Sequence, residues 1–187
     1  MITNKRWGIL LLIMIAVLLI GLGMLIVIID PYFHYHAPLT RMEYPLNNER
    51  YQNDGIVKHF KYDAIITGSS MTQNFKTSEF DELFGVNSIK VSFSGGSYKE
   101  VNENLQRAVE ANPEIKIILR GLDCAKMIQE KDNMTYSLDS YPAYLYDDKW
   151  YNDVKYFFNK NALLDTEHVI RYTAFGNKTT TFDEYSN

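Results

Sequence analysis

A single cysteine, Cys124, excludes an internal disulfide, so the fold must rest on its apolar core in any compartment. Charge of either sign is never concentrated. Nineteen Lys and Arg against 23 Asp and Glu leave a net charge of −4, and no basic cluster is available to neutralise phosphates. Nucleic acid is therefore excluded as a partner. Internal repeats and low-complexity tracts are absent. The 187 residues suit one domain with an appendage.

The longest absence is of polarity itself. Gly8 to Ile29 carry no charged or strongly polar side chain. These residues are enough to cross a hydrocarbon core of about 30 Å at about 1.5 Å per residue. The run is too long for the apolar core of a cleavable signal peptide, and Asp30-Pro31-Tyr32-Phe33 offers no small-x-small cleavage site. It reads as an anchor in a lipid bilayer. Lys5 and Arg6 precede it, which keeps residues 1–7 as a cytoplasmic tail and sends residues 30–187 to the extracytoplasmic side of the cell membrane.

Beyond the anchor, His34-x-His36 could place two imidazoles on one face of a strand as metal ligands. No further ligand set accompanies them, and with Tyr32, Phe33 and Tyr35 they read as an interfacial aromatic belt. Residues 30–61 read as a membrane-proximal lead-in, with a short helix near Gly55 to Phe60 and His59 as a surface or packing residue.

The α/β pattern begins at residue 62. Ala64 to Thr67 read as a short buried strand ended by Gly68, and Ser69-Ser70 stand where the chain turns toward a helical segment. Thr77 or Ser78 can cap a short helix through Phe80, Leu83 and Phe84 that ends at Gly85. Ser88 to Phe93 form a second strand. Ser97-x-x-Glu100 is a capping-box signature for a helix whose apolar stripe is Val101, Leu105, Ala108 and Val109, stopping at Asn112-Pro113. Ile115 to Leu119 supply a third strand.

Strand, helix, strand, helix, strand with short connections predicts parallel strands. Ligands bind such sheets beyond the carboxyl ends of the strands. Those ends carry Gly68-Ser69-Ser70, Ser94-Gly95-Gly96-Ser97 and Gly121-Leu122-Asp123, which should converge on one crevice. A serine lifted there can serve as a nucleophile, with backbone N–H groups after the turn facing an oxyanion. The alternative is that Ser69 or Ser70 only caps the next helix, and that the glycines only relieve tight turns.

The stretch Ala64-Ile65-Ile66-Thr67-Gly68-Ser69-Ser70-Met71-Thr72-Gln73 resembles block I of the SGNH/GDSL hydrolase superfamily, in the variant with serine between glycine and nucleophile. That variant also occurs in membrane-anchored relatives that handle acyl groups of the cell envelope. The resemblance implies a three-layer α/β/α fold over residues 62–187 and makes Ser70 the nucleophile. It likens Ser94-Gly95-Gly96 to block II, with Gly95, then Gly96, as oxyanion donor. It sets Gly121-Leu122-Asp123 where block III carries Gly-x-Asn; Asp123 departs from that pattern, because an ionised carboxylate accepts hydrogen bonds.

The family takes its base from Asp-x-x-His, and Asp165-Thr166-Glu167-His168 fits that pattern. Yet only one strand stands between the second turn and Asp165, where the family carries more. The other reading makes Asp165 a first-turn acid on a helix holding Leu163, Leu164, Val169 and Ile170, and His168 a solvated residue. With no closing strand near the C-terminus, the sequence reads as the N-terminal part of a longer protein.

The implied activity is hydrolysis or transfer of O-acyl esters on an envelope glycan or polymer, without a cofactor. The rival is a non-catalytic tethered module binding a glycan or a partner. A further alternative is an anion site at the helix start after Gly95-Gly96, which lacks a Walker-type lysine. Between Asp139 and Phe158 eight aromatic residues suggest either packing against the sheet or a surface for sugar rings. Asn133 and Asn177 match the glycosylation acceptor pattern.

Overall fold

The apolar run forms a helix because every residue in it can bury its backbone polar groups in its own ladder. In the computed structural model, which describes residues 4–128, 131–132, 141–147 and 149–176, this helix is α1, Asn4–Ile29. An 18-residue window within it reaches a mean hydropathy of 3.3. It is long and apolar enough to cross a membrane, a property that an N-terminal signal sequence shares. Most of its length is bare, but Ile26 and Ile29 are buried in the domain that follows.

The chain leaves α1 through a fixed corner. Asp30 takes a left-handed backbone (φ 48°) and is fully buried. Its carboxylate accepts the backbone N–H groups of His34, Tyr35 and His36 at 3.0, 2.7 and 3.1 Å and the Tyr156 hydroxyl at 2.7 Å. Three of these donors fix the corner locally, and the fourth, Tyr156, ties the helix exit to a segment 126 residues away.

Residues 30–61, expected to space the domain from a bilayer, are instead part of its core. Phe33, Tyr44, Leu46, Ile56 and Val57 are buried with Ile65, Ile89, Val91 and Ala108 in one cluster. The expected short helix is longer: α2 runs Glu49–His59 and packs on the second strand and its following helix. Gly55 lets it lie against the corner after α1, since a Cβ there would stand 2.4 Å from the carbonyl oxygens of Tyr32 and Phe33. His59 is half-buried, with Nε2 3.3 Å from the His34 carbonyl.

Among the described residues the sheet has three parallel strands, β1 (Ala64–Ser69), β2 (Ser88–Phe93) and β3 (Ile117–Arg120), in the order β2-β1-β3. Register pairs Ala64 with Ser88 and with Ile117. Helix α3, Thr77–Phe84, ends on Gly85 in the left-handed conformation, φ 64°. Helix α4, Tyr98–Ala111, starts at the Ser97 cap, whose Oγ accepts the Glu100 N–H. Side-chain alternation along β1 assigns the faces. Ala64 and Ile66 meet Phe80 of α3, while Ile65 meets Ala108 of α4. The expected order of elements is observed, and helices lie on both faces of the sheet.

After β3 come α5 (Cys124–Met127), 3-10 turns at Ala143–Leu145 and Trp150–Asp153, α6 (Val154–Phe157) and α7 (Lys160–Phe175). Most of the aromatic segment packs. Tyr144, Tyr146, Tyr156 and Phe157 join Tyr32, Tyr35 and Tyr51 around Ile26 and Leu145, whereas Trp150, Tyr151 and Phe158 are exposed. Asn133 and Asn177 lie outside the described residues.

Candidate functional site

With β1 in the middle, the chain passes from β1 to β2 on one side and returns to β3 on the other. That reversal opens a crevice at the carboxyl ends of the strands. Gly68 and Ser69 from the first turn, Gly96, Ser97 and Tyr98 from the second, and Gly121 and Asp123 from the third line one such crevice, joined by Val101 and Lys126. Its solvent space is about 10 Å³, room for roughly one water. The glycines are needed for this closeness. A Cβ on Gly68 would fall 2.7 Å from Thr72 Cγ2, with φ at 154°, and one on Gly121 2.5 Å from the same methyl.

Ser70 stands one residue outside the lining. It opens the 3-10 turn Ser70–Asn74, is exposed, and does not cap it: Ser69 is the cap residue and makes no side-chain cap bond. The turn is held from beneath. Thr72 Oγ1 donates to the Ser69 carbonyl at 2.7 Å and lies 2.8 Å from Ser92 Oγ. Lys90 of β2, fully buried, donates from its ammonium to the carbonyls of Gln73 and Phe75 at 2.9 and 2.6 Å.

The second turn is clamped from α2. Ser94 N–H donates to Glu49 Oε2 at 2.6 Å, and Gln73 Nε2 donates to Glu49 Oε1 and to Ser94 Oγ. Arg50 donates to the Ser94 carbonyl at 2.8 Å and pairs with Glu100 through Nε at 2.7 Å and Nη2 at 3.1 Å. The Glu100 side chain thus leaves the reciprocal half of the capping box and takes a buried arginine instead. One network therefore joins the turn after Ser70 to the turn before α4.

Of the two glycines expected as oxyanion donors, Gly95 holds the left-handed backbone (φ 63°). Gly96 has its N–H committed to the Phe93 carbonyl at 2.8 Å, which takes it out of that role. Asp123 lies in the crevice, with its carbonyl accepting the Tyr98 hydroxyl at 2.8 Å. Lys126, which the sequence did not single out, donates from Nζ to the Gly96 carbonyl and brings a cation to the crevice wall. The start of α4 is not an open anion site. The N–H groups of Tyr98 and Lys99 donate to the Asp132 carboxylate at 2.7 and 2.6 Å.

Asp165 and His168 are elsewhere. Both sit within α7, which packs on α1 and α6, so Asp165 is neither a cap nor a first-turn acid; the cap is Asn159, whose side chain accepts the Asn161 N–H. His168 Nδ1 is 3.6 Å from Asp165 Oδ1, while Asp165 Oδ2 accepts the Tyr32 hydroxyl at 2.7 Å. Burial, then the nearby Asp165 charge, pushes the Tyr32 phenol far above its usual range, so it stays the donor. His34 pairs with Asp153 at 3.4 Å, and His36 lies against the Ala37 and Val27 carbonyls. None of the four histidines lines the crevice. Among the described residues no cluster of His, Cys, Asp and Glu is arranged to hold a metal ion.

No protein-family model, curated protein or solved structure matches the chain.

Proposed function

We propose that this chain is a membrane-anchored, extracytoplasmic α/β protein whose serine turn carries acyl-group chemistry of the SGNH/GDSL type. The observation that carries this reading is the meeting of three strand-end turns at one crevice, with Ser70 exposed one residue beyond its lining. Ser70 Oγ attacks the carbonyl carbon of an O-acyl ester and yields its proton to a base. The ester C–O bond breaks, the alcohol leaves with a proton, and water or an acceptor hydroxyl takes the acyl group. N–H groups of the turn after Ser70 face the developing oxyanion, and the Lys126 cation on the crevice wall adds favourable charge. A crevice too small to enclose a ligand suits a substrate that lies across its rim, as an acyl group on an envelope glycan or polymer would. Retention of α1 as an anchor is supported by the burial of Ile26 and Ile29 and by the Asp30 corner, which cleavage after the helix would dismantle.

The second reading, a tethered module that binds a glycan or partner without turning it over, is favoured by the absence of histidine from the crevice and by Asp123 at the block III position. Hydrolysis of p-nitrophenyl acetate by the detergent-solubilised chain separates the two. The catalytic reading expects turnover that Ser70→Ala abolishes. Turnover unchanged in Ser70→Ala removes Ser70 from the chemistry, and none in the parent chain favours the binding module.

A further inference from the structure

We propose that α6 and the outer face of α7 are seated within the outer leaflet of an anionic phospholipid bilayer, with acyl chains filling the groove between α6 and α1. This rests on α1 being a bilayer anchor, and it adds that the domain is embedded at a fixed height. The depth follows from α1 itself. If Lys5 is held at the inner boundary of the hydrocarbon, Gly23 lies 18 residues along, about 27 Å at 1.5 Å per residue, inside a core of about 30 Å. Tilt brings it deeper. Phe157 of α6 packs at that level, 3.8 Å from the place a Gly23 Cβ would occupy. Whatever touches Gly23 is at membrane depth.

The groove there has the chemistry of an acyl-chain site. Leu19, Ile20 and Met24 of α1 face Phe157 and Phe158 across a space of about 400 Å³. On the other side of α1, Leu25 opens onto Leu163, Leu164, Ile170 and Phe175 of α7, with the Glu167–Arg171 ion pair on the same wall, about 30 Å from Lys5 and so at the hydrocarbon boundary, where the charged heads reach the headgroups. Phe158, Leu163, Leu164, Ile170 and Phe175 are all exposed. Exposed apolar patches on both sides of α1 are disfavoured in water and mark a contact.

Charge identifies the lipid class. The exposed charged residues of the described segment 149–175 are Lys149, Lys155, Lys160, Arg171 and Glu167, four basic to one acidic, in a chain of net charge −4. Such a bias beside an apolar face suits anionic headgroups.

The test uses tryptophan quenching by acyl-brominated lipid in vesicles of phosphatidylglycerol and phosphatidylcholine. The full chain carries Trp7→Phe and Trp150→Phe, with one reporter, Phe158→Trp, or Ile20→Trp on the anchor. Both reporters are expected to lose most of their emission to brominated lipid and to shift to the blue. Quenching of Ile20→Trp without quenching of Phe158→Trp overturns the seating while leaving the anchor intact. Quenching of neither overturns both. Phe158 is more than half exposed, and Phe175→Trp provides a second reporter with the same expected sign if far-UV circular dichroism shows Phe158→Trp misfolded.

Discussion

Replacing Arg50 by Met removes the ion pair and the Nη2 hydrogen bond to Glu100 and the donor on the Ser94 carbonyl. The two side chains are 8% and 1% exposed, so the Glu100 carboxylate is left charged and unpaired away from water. Breaking one side of such a pair costs about 3–5 kcal/mol, a large share of a domain stability of about 5–15 kcal/mol. Glu100→Leu strands the guanidinium and costs a similar amount. Substituting both removes the stranded charge with the partner, so the double variant should fall within about 1–2 kcal/mol of the parent, mostly for the unpaired Ser94 carbonyl. Arg50→Lys keeps the charge without the fork and should lie between, at about 1.5–3 kcal/mol. Urea unfolding of the detergent-solubilised chains, followed by near-UV circular dichroism, reads these as midpoint shifts at constant slope. If the double variant loses the sum of the two singles, the pair is not coupled, and α2 does not clamp the second turn as argued.

Two further outcomes are expected. Gly121→Ala forces its Cβ against Thr72 Cγ2 and should cost about 1–3 kcal/mol in thermal or urea unfolding; adding Thr72→Ser removes that methyl, keeps the hydroxyl contacts to Ser69 and Ser92, and should recover most of the loss, a recovery Gly68→Ala cannot share because of its φ of 154°. The Asp63 carboxyl is held below its usual range by the Lys116 ammonium and the Asn87 N–H. A depressed folded pKa stabilises above the ordinary Asp value of about 3.9 and is lost as pH falls through the folded value. The acid limb of the melting temperature should therefore be shallower in Asp63→Asn than in the parent chain.

What could be read from sequence was local. Ala64 to Thr67 and Ser88 to Phe93 are short runs closed by glycine or serine turns, and Ser97-x-x-Glu100 announces its helix, so the order of elements along the chain and the three turns follow from spacing alone. Polarity concealed the rest. Glu49, Arg50, Gln52, Asn53 and Asp54 fall in the stretch read as a lead-in, yet all five are buried, because each finds a partner on the turns after β1 and β2, on β2, on α4 or on the corner after α1. Gly55 in mid-helix was the available signal of a close approach. Lys90 alternates with apolar residues on β2, and its carbonyl partners in the Ser70 turn become visible only once β1 and β2 are paired. Asp165-x-x-His168 fits a pattern in sequence, but the packing of α7 on α1 sets it apart from the crevice. A regular expression carries no information about which face of the sheet a helix joins.

Incubation of the full chain with a fluorophosphonate, then tandem mass spectrometry of the peptide spanning residues 62–76, tests the central claim most directly. The account predicts one covalent phosphonyl adduct, on the Ser70 oxygen and not on Ser69. An unmodified peptide, or an adduct on Ser69, would contradict it.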